Sequence, residues 1–111
     1  MVVKFFAKYC EPCKETLPAA QQLSQQHRDV RFIGVAVDET AADVSVMVQT
    51  YGLSFPVLHD QGFLLAEMFG VSRIPATFVT DRAGVIRWVG GERQTEEDLK
   101  AALAWMTKGA P

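Results

Sequence analysis

The amino-acid sequence predicts an α/β fold built on a mixed sheet. Three observations carry this. Apolar, β-branched runs at 1–6 (MVVKFF) and 31–37 (RFIGVAV) are separated by a helical stretch, the arrangement of parallel strands joined by a crossover helix. Two later runs, 76–80 (ATFVT) and 85–89 (VIRWV), are joined through Asp81-Arg82-Ala83-Gly84, a turn sequence that predicts an antiparallel hairpin. Helical stripes fill the remaining intervals.

The elements follow in order. Residues 1–6 read as a buried strand. Ala7-Lys8-Tyr9 is a short connection, and from Pro12 the pattern is helical to about His27, with Leu17, Ala20 and Leu23 as its apolar stripe. Pro18 inside that helix removes a backbone hydrogen bond and predicts a kink. The run 31–37 is nearly all apolar after Arg31, as expected of an interior strand covered on both faces. Thr40 predicts a helix cap with Asp43 three residues on. Val44, Met47, Val48 and Tyr51 give that helix its stripe, and Gly52 stops it. A short strand broken by Pro56 is expected within 55–59, then a short helix over 61–69 ended by Gly70. Thr95 predicts the last cap, with Asp98 at the capping-box position and Leu99, Ala102, Leu103 and Met106 facing inward. The predicted order is β-α-β-α-(β)-α-β-β-α.

The 111 residues suit a single domain, 1–111. The chain is 49% hydrophobic and 22% charged, which excludes a disordered tail or low-complexity linker. Eleven basic and 13 acidic residues are interspersed, so no basic footprint for nucleic acid or an anionic membrane exists. No apolar run approaches the length of a membrane span. The first six residues lack a basic region, an apolar core and a small-residue cleavage site, so no signal peptide is read in them.

Cys10 and Cys13, the only cysteines, form a Cys-x-x-Cys unit. Zinc requires four ligands, and His27 and His59 lack the spacing that would complete a site. No metal and no cofactor are therefore expected. A purely structural disulfide closing so short a loop removes little entropy from the unfolded chain. Redox chemistry suits the spacing. The pair falls where a strand turns into a helix, with Cys10 expected at the exposed helix start and Cys13 one turn deeper. Unsatisfied N–H groups and the positive end of the dipole there favour a thiolate. Pro12 fits a first helical turn. Ile74-Pro75 precedes the run 76–80, where Pro75 reads from its position as a strand-start proline or as a cis proline.

The segment Val-Val-Lys-Phe-Phe-Ala-Lys-Tyr-Cys-Glu-Pro-Cys-Lys, followed by Pro18, resembles the thioredoxin superfamily. Within it the chain is similar to TlpA/ResA-like thiol–disulfide oxidoreductases, through Cys10-Glu11-Pro12-Cys13, the 40–70 segment with Phe55-Pro56-Val57-Leu58, and Ile74-Pro75-Ala76-Thr77-Phe78. The resemblance implies a thioredoxin-like three-layer α/β/α sandwich that lacks the family's N-terminal strand or hairpin. It implies Cys10 and Cys13 as the redox pair. Tyr9, Glu11, Pro12, Ile74 and Pro75 are implied as substrate-binding and motif residues, with a cis Pro75 against the cysteines and the Ile74 backbone free to pair with a substrate strand. The chain departs from the family where Tyr9 and Phe6 replace tryptophans. It departs also at Thr16, where ResA-like proteins place a glutamate, and at Lys4, where thioredoxins keep a buried Asp and this branch often an Asn.

The expected chemistry is thiol–disulfide exchange on a protein disulfide, with an upstream dithiol reductant restoring the pair. Cys10 attacks and Cys13 resolves. Glu11 opposes a thiolate on Cys10, and no histidine separates the cysteines, so reduction is the expected direction. Lys4 is expected to run its stem past the rim and keep its head in water. The alternative leaves it half-buried, lowering the cysteine pKa as a nearby cation. Met47, Met68 and Met106 are expected in the core, and Trp88 as a packing residue. Relatives in this branch imply cytochrome c maturation among the possible tasks, an extracytoplasmic or periplasmic location, and a monomer. Two rival functions are a thioredoxin-fold binding module without redox turnover and a thiol peroxidase. The peroxidase pattern Pro-x-x-x-Thr-x-x-Cys is absent at both cysteines.

Overall fold

In the computed structural model, residues 1–38, 40–93 and 95–107 are described. Strand β1 (Val2–Phe6) leads to helix α1 (Cys13–Gln26), strand β2 (Phe32–Ala36), helix α2 (Ala41–Tyr51) and strand β3 (Val57–His59). Helix α3 (Leu64–Met68), strands β4 (Ala76–Thr80) and β5 (Ile86–Gly90) and helix α4 (Glu96–Thr107) complete the order. The five strands form one mixed sheet in the order β3-β2-β1-β4-β5. β1 pairs in parallel with β2, and β2 with β3. β4 lies antiparallel to β1 and to β5. This is the expected thioredoxin-like α/β fold, with one relation the sequence pattern did not disclose, the direct pairing of β1 with β4.

All five β1 residues are buried because the strand has neighbours on both edges and layers on both faces. Phe5 points to one face, where its ring meets Phe69 and Phe78 edge-on at 5.2 and 5.8 Å. Lys4 and Phe6 point to the other. There the ring of Phe6 lies over Gly34, bordered by Phe55 and Val57. Ser54, next to Phe55, exchanges two hydrogen bonds with Gln21 of α1 (2.8 and 2.9 Å). Helix α1 therefore covers the face to which Lys4 and Phe6 point.

Local signals act as expected at the helix starts. Thr40 Oγ1 accepts from the Asp43 amide at 3.2 Å. Thr95 and Asp98 close a reciprocal capping box at 3.0 and 3.1 Å. Gly52 ends α2 at a φ of 58°, which glycine adopts without steric cost. Helix α1 runs unbroken through Pro18.

Several boundaries differ from expectation. β3 starts after Pro56, whose missing N–H cannot join the ladder. α3 starts at Leu64, not near Gln61, because the Asp60 carboxylate caps the Leu65 and Ala66 amides, each at 2.9 Å. β5 starts at Ile86 because Asp81 Oδ1 takes the Ala83 and Val85 amides into the turn (2.9 and 3.0 Å). Met47 is buried and Met106 packs against the core, but Met68 is 73% exposed: the short α3 buries Ala66 and packs Leu65 partly against the core, leaving Met68 outside. Trp88 packs half-buried against the core.

A Cβ added at Gly34 falls 2.8 Å from Phe6 Cε1, 3.1 Å from Phe55 and 3.2 Å from Val57. Gly34→Ala therefore overpacks the layer beside the cysteine helix. It is expected to cost about 1–3 kcal/mol, read as a fall of several degrees in Tm; an unchanged Tm contradicts this packing.

Candidate active site

The antiparallel register pairs Phe5 with Ala76. One step further, Pro75 falls beside Phe6, at the sheet end from which Ala7–Tyr9 lead to Cys10. Two segments far apart in sequence thus meet at one rim. The Ile74–Pro75 peptide bond is cis. Pro75 is fully buried, and Ile74 lies half-buried just outside the β4 ladder.

Cys10 and Cys13 are joined by a disulfide with their Cα atoms 5.4 Å apart. The helix begins at Cys13 behind Pro12, so Cys10 stands in the turn before the helix, not at its first residue. Tight bonds cause this. The Cys13 amide donates to the Cys10 carbonyl at 3.2 Å and the Lys14 amide to Glu11 at 3.1 Å, before the wider Thr16-to-Pro12 bond takes over. Cys10 keeps 6% of its surface and Cys13 none. The expected order of access therefore stands, though Cys10 is far less open than a residue on a free helix tip.

Of the other expected site residues, Tyr9 is 69% exposed and Pro12 half-buried. Glu11 is exposed, with its carboxylate 3.0 Å from Lys14 Nζ. That pairing blunts the effect on Cys10 which the sequence reading gave to Glu11. Lys8, on the other side of Cys10, pairs with Asp43 at 3.2 Å and holds the Asp43 carboxyl below its ordinary value. Both lysines flanking the pair are thus committed to carboxylates.

Lys4 corrects the sequence reading. It is 1% exposed, and its head does not reach water. β1 is the central strand, so its side chains have no rim to pass. Nζ donates to Thr77 Oγ1, the cross-strand neighbour, at 3.2 Å. Burial draws the Lys4 amine down from its usual 10.5 to about 7.

Sequence reasoning missed Asp38. It is 3% exposed, and its Oδ1 accepts from the Lys8 amide at 2.8 Å, bracing the loop that presents Cys10. Its Oδ2 is buried without a partner. His59 Nε2 lies 2.6 Å from the Asp38 carbonyl, which ties β3 to this rim. An acid ending the apolar run 31–37 was the available signal. Thr16, where the family pattern expects glutamate, is buried one turn past Cys13 with its hydroxyl unpartnered.

Two open cavities flank the hairpin. The larger, of about 820 Å³, lies between β5 and α4 and includes neither cysteine nor Pro75. The smaller, of about 360 Å³, is lined by Phe69, Val71, Pro75, Phe78 and Val89. It opens beside the cis bond, with Pro75 but neither cysteine in its lining. Among the described residues, no cluster of three or more His, Cys, Asp or Glu could hold a metal ion, and no helix is long and apolar enough to cross a membrane.

Comparisons with known proteins bear on this site. The description "AhpC/TSA family" matches residues 1–89. The chain is similar to the thiol-disulfide oxidoreductase ResA of Bacillus thuringiensis (strain Al Hakam), with 33% identity over 108 residues, covering 95% of this chain and 62% of that relative. It is 30% identical over 108 residues to the thioredoxin-like protein YneN of Bacillus subtilis (strain 168), covering 93% and 62% respectively. The chain thus spans 62% of the length of these relatives. Among solved structures, that of MTB dsbF in its mixed oxidized and reduced forms aligns with a TM-score of 0.87 at 26% identity, over 95% of this chain and 78% of that one.

The lowered Lys4 value sets a pH dependence. An amine that ionises near 7 when folded and 10.5 when unfolded costs stability in full below pH 7. The cost fades as pH rises towards 10.5. Lys4→Met is expected to stabilise the fold by on the order of 4 kcal/mol at pH 6 and by much less at pH 10. Denaturant unfolding at the two pH values measures this, and a pH-independent difference contradicts the burial argument.

Proposed function

The chain belongs to the AhpC/TSA family, and on that premise we propose that it is a thiol–disulfide oxidoreductase working through Cys10 and Cys13. One observation carries the reading: a Cys10–Cys13 disulfide at the start of α1, of which only Cys10 reaches the surface. The similarity to relatives named as thiol-disulfide oxidoreductases and thioredoxin-like proteins supports it.

In the reduced pair, the Cys10 thiolate attacks a partner disulfide. One partner sulfur leaves as a thiolate, and Cys10 is left in a mixed disulfide. Cys13 then attacks Cys10 Sγ. The bond to the partner breaks, the second partner sulfur leaves reduced, and the Cys10–Cys13 bond forms. An upstream dithiol reductant supplies the two electrons that restore the pair. Ile74 and Pro75 form the docking edge, since Ile74 lies outside the β4 ladder and its backbone is placed to pair with a substrate strand. Exposed Tyr9 and the groove beside Pro75 offer apolar contact to that strand.

Reduction of protein disulfides is the direction we propose. Lys8 and Lys14 are both ion-paired, so neither is a free cation beside Cys10. A thiolate without such support makes the reduced form less stable and the pair a better donor of electrons. Work outside the cytoplasm, cytochrome c maturation among its tasks, and action as a monomer complete the proposal. A peroxidase reading gains nothing from the site, because Ala7 stands where that chemistry places a threonine.

Two outcomes are expected. Cys13→Ser accumulates a mixed disulfide with a protein substrate, whereas Cys10→Ser abolishes exchange; equal trapping by both, read on non-reducing gels, contradicts the assignment. The reduction potential of the pair, measured against glutathione or dithiothreitol, is expected near the reducing end of the family range, about −270 mV. A value near the strongly oxidising end, about −120 mV, overturns the direction.

A further inference from the structure

The docking edge carries one ion pair that the mechanism above does not use. Arg73 immediately precedes Ile74, and Glu92 lies two residues past the end of β5. Arg73 Nη1 donates to Glu92 Oε1 at 3.2 Å. Both residues line the groove of about 360 Å³ together with Pro75, and they are the charged members of its described lining. Phe69, Phe78 and Val89 make much of the remainder apolar. Arg93, the next residue, lines the larger cavity and not this one. The pair thus joins the segment before the cis bond to the segment after β5, within the lining of one apolar groove.

The two partners are not equally free. The Arg73 side chain keeps 80% of its surface and the Glu92 side chain 43%. An exposed pair of this kind contributes little, and most of the Arg73 side chain is already in water, so Arg73 leaves Glu92 easily. Glu92 has more to lose. A strand that pairs with the Ile74 backbone and sets a side chain into the groove covers Glu92 and strips its water. A carboxylate so covered needs a cation within hydrogen-bond range. A partner that brings its own ammonium or guanidinium meets that need and lets Arg73 move into solvent. A partner that brings a carboxylate meets Glu92 with like charge, and it can use Arg73 only by taking it from Glu92. At Cys10 itself, Lys8 is paired with Asp43 and Lys14 with Glu11, so neither charge masks this difference.

We propose that Glu92 is a specificity-determining residue, and that the protein prefers disulfides in extended segments that carry a lysine or arginine beside an apolar residue. The inference rests on the oxidoreductase reading and deepens it by naming a substrate class. The apolar side chain enters the groove, the backbone of the segment pairs with Ile74, and its cation takes the place of Arg73 on Glu92. Between encounters Arg73 keeps the carboxylate paired. The exchange replaces one ion pair by another, so selectivity comes mainly from rejection of acidic segments.

The test uses fully reduced protein and two synthetic peptides that differ in one residue, a lysine or a glutamate next to a leucine and a cysteine. The cysteine is held in a disulfide with a thiopyridyl group. Attack of the Cys10 thiolate on the peptide sulfur joins the peptide to Cys10 and releases the pyridinethiolate, which is read by its absorbance as the thione. Each second-order rate is divided by the rate of the same peptide with dithiothreitol, which removes the effect of the charge on the disulfide itself. The lysine peptide is expected to react about fivefold faster than the glutamate peptide. Glu92→Gln is expected to bring that ratio close to one and Arg73→Gln to widen it. Glu97→Gln, which removes an equal charge from an exposed position of α4, is expected to leave it unchanged. A ratio near one in the wild type, or a ratio that survives Glu92→Gln, overturns the proposal. So does an equal fall in Glu97→Gln, which assigns the preference to net charge alone. Should Glu92→Gln not fold, Arg73→Gln decides: a wider ratio supports Glu92, and an unchanged or narrower one overturns it. A wild type that reacts with neither peptide faster than free cysteine overturns the oxidoreductase reading itself, which separates the two failures.

Discussion

The antiparallel pairing of β1 with β4 is the constraint on which the rest of the molecule depends. It sets Phe5 against Ala76 and Lys4 against Thr77. Because the strands run in opposite directions, the exit of one lies beside the entry of the other. The cysteine turn and the Ile74–Pro75 step share a sheet end for that reason alone. A register slip by one residue would exchange the two faces of β1. Phe5 would leave its aromatic pocket with Phe69 and Phe78, and Phe6 would leave the space that Gly34 opens for it. Aromatic packing on both faces therefore holds the alignment of the candidate site.

Around that alignment the charges are arranged in two zones. At the surface, Lys8 and Lys14 are matched to Asp43 and Glu11, so Cys10 meets a locally neutral rim. Beneath it lies a buried lysine whose hydrogen-bond partner among the described residues is the Thr77 hydroxyl. Exposed ion pairs contribute little to stability, and a lone buried amine opposes it. Neither zone is explained by folding energy. Asp38 links site to scaffold by tying the loop before Cys10 to the end of β2.

Much of this was legible in the residues. Strands β2, β4 and β5, the caps at Thr40 and Thr95, and the Gly52 stop follow from local chemistry, which is why they appear within a residue or two of expectation. The Cys-x-x-Cys pair at a strand-to-helix junction was equally plain. What depended on neighbours distant in sequence was not. The fate of Lys4 turned on whether β1 was an edge or a centre, and β4, more than seventy residues away, decides that. A strand lysine read in isolation has a rim to reach; one between two partner strands does not. Met68 reversed for a related reason, since an Asp60 cap shortens α3 and only Ala66 of that helix is buried. Asp38 escaped notice because its role lies in an amide 30 residues earlier in the chain.

The central claim is that the two cysteines are unequal, Cys10 keeping a small exposed surface and Cys13 none. Alkylation of the reduced, folded protein with limiting iodoacetamide, followed by peptide mass mapping, tests this directly. The account predicts adducts on Cys10, with Cys13 modified only after the chain is unfolded. Equal labelling of both residues in the folded protein, or labelling of Cys13 first, contradicts it.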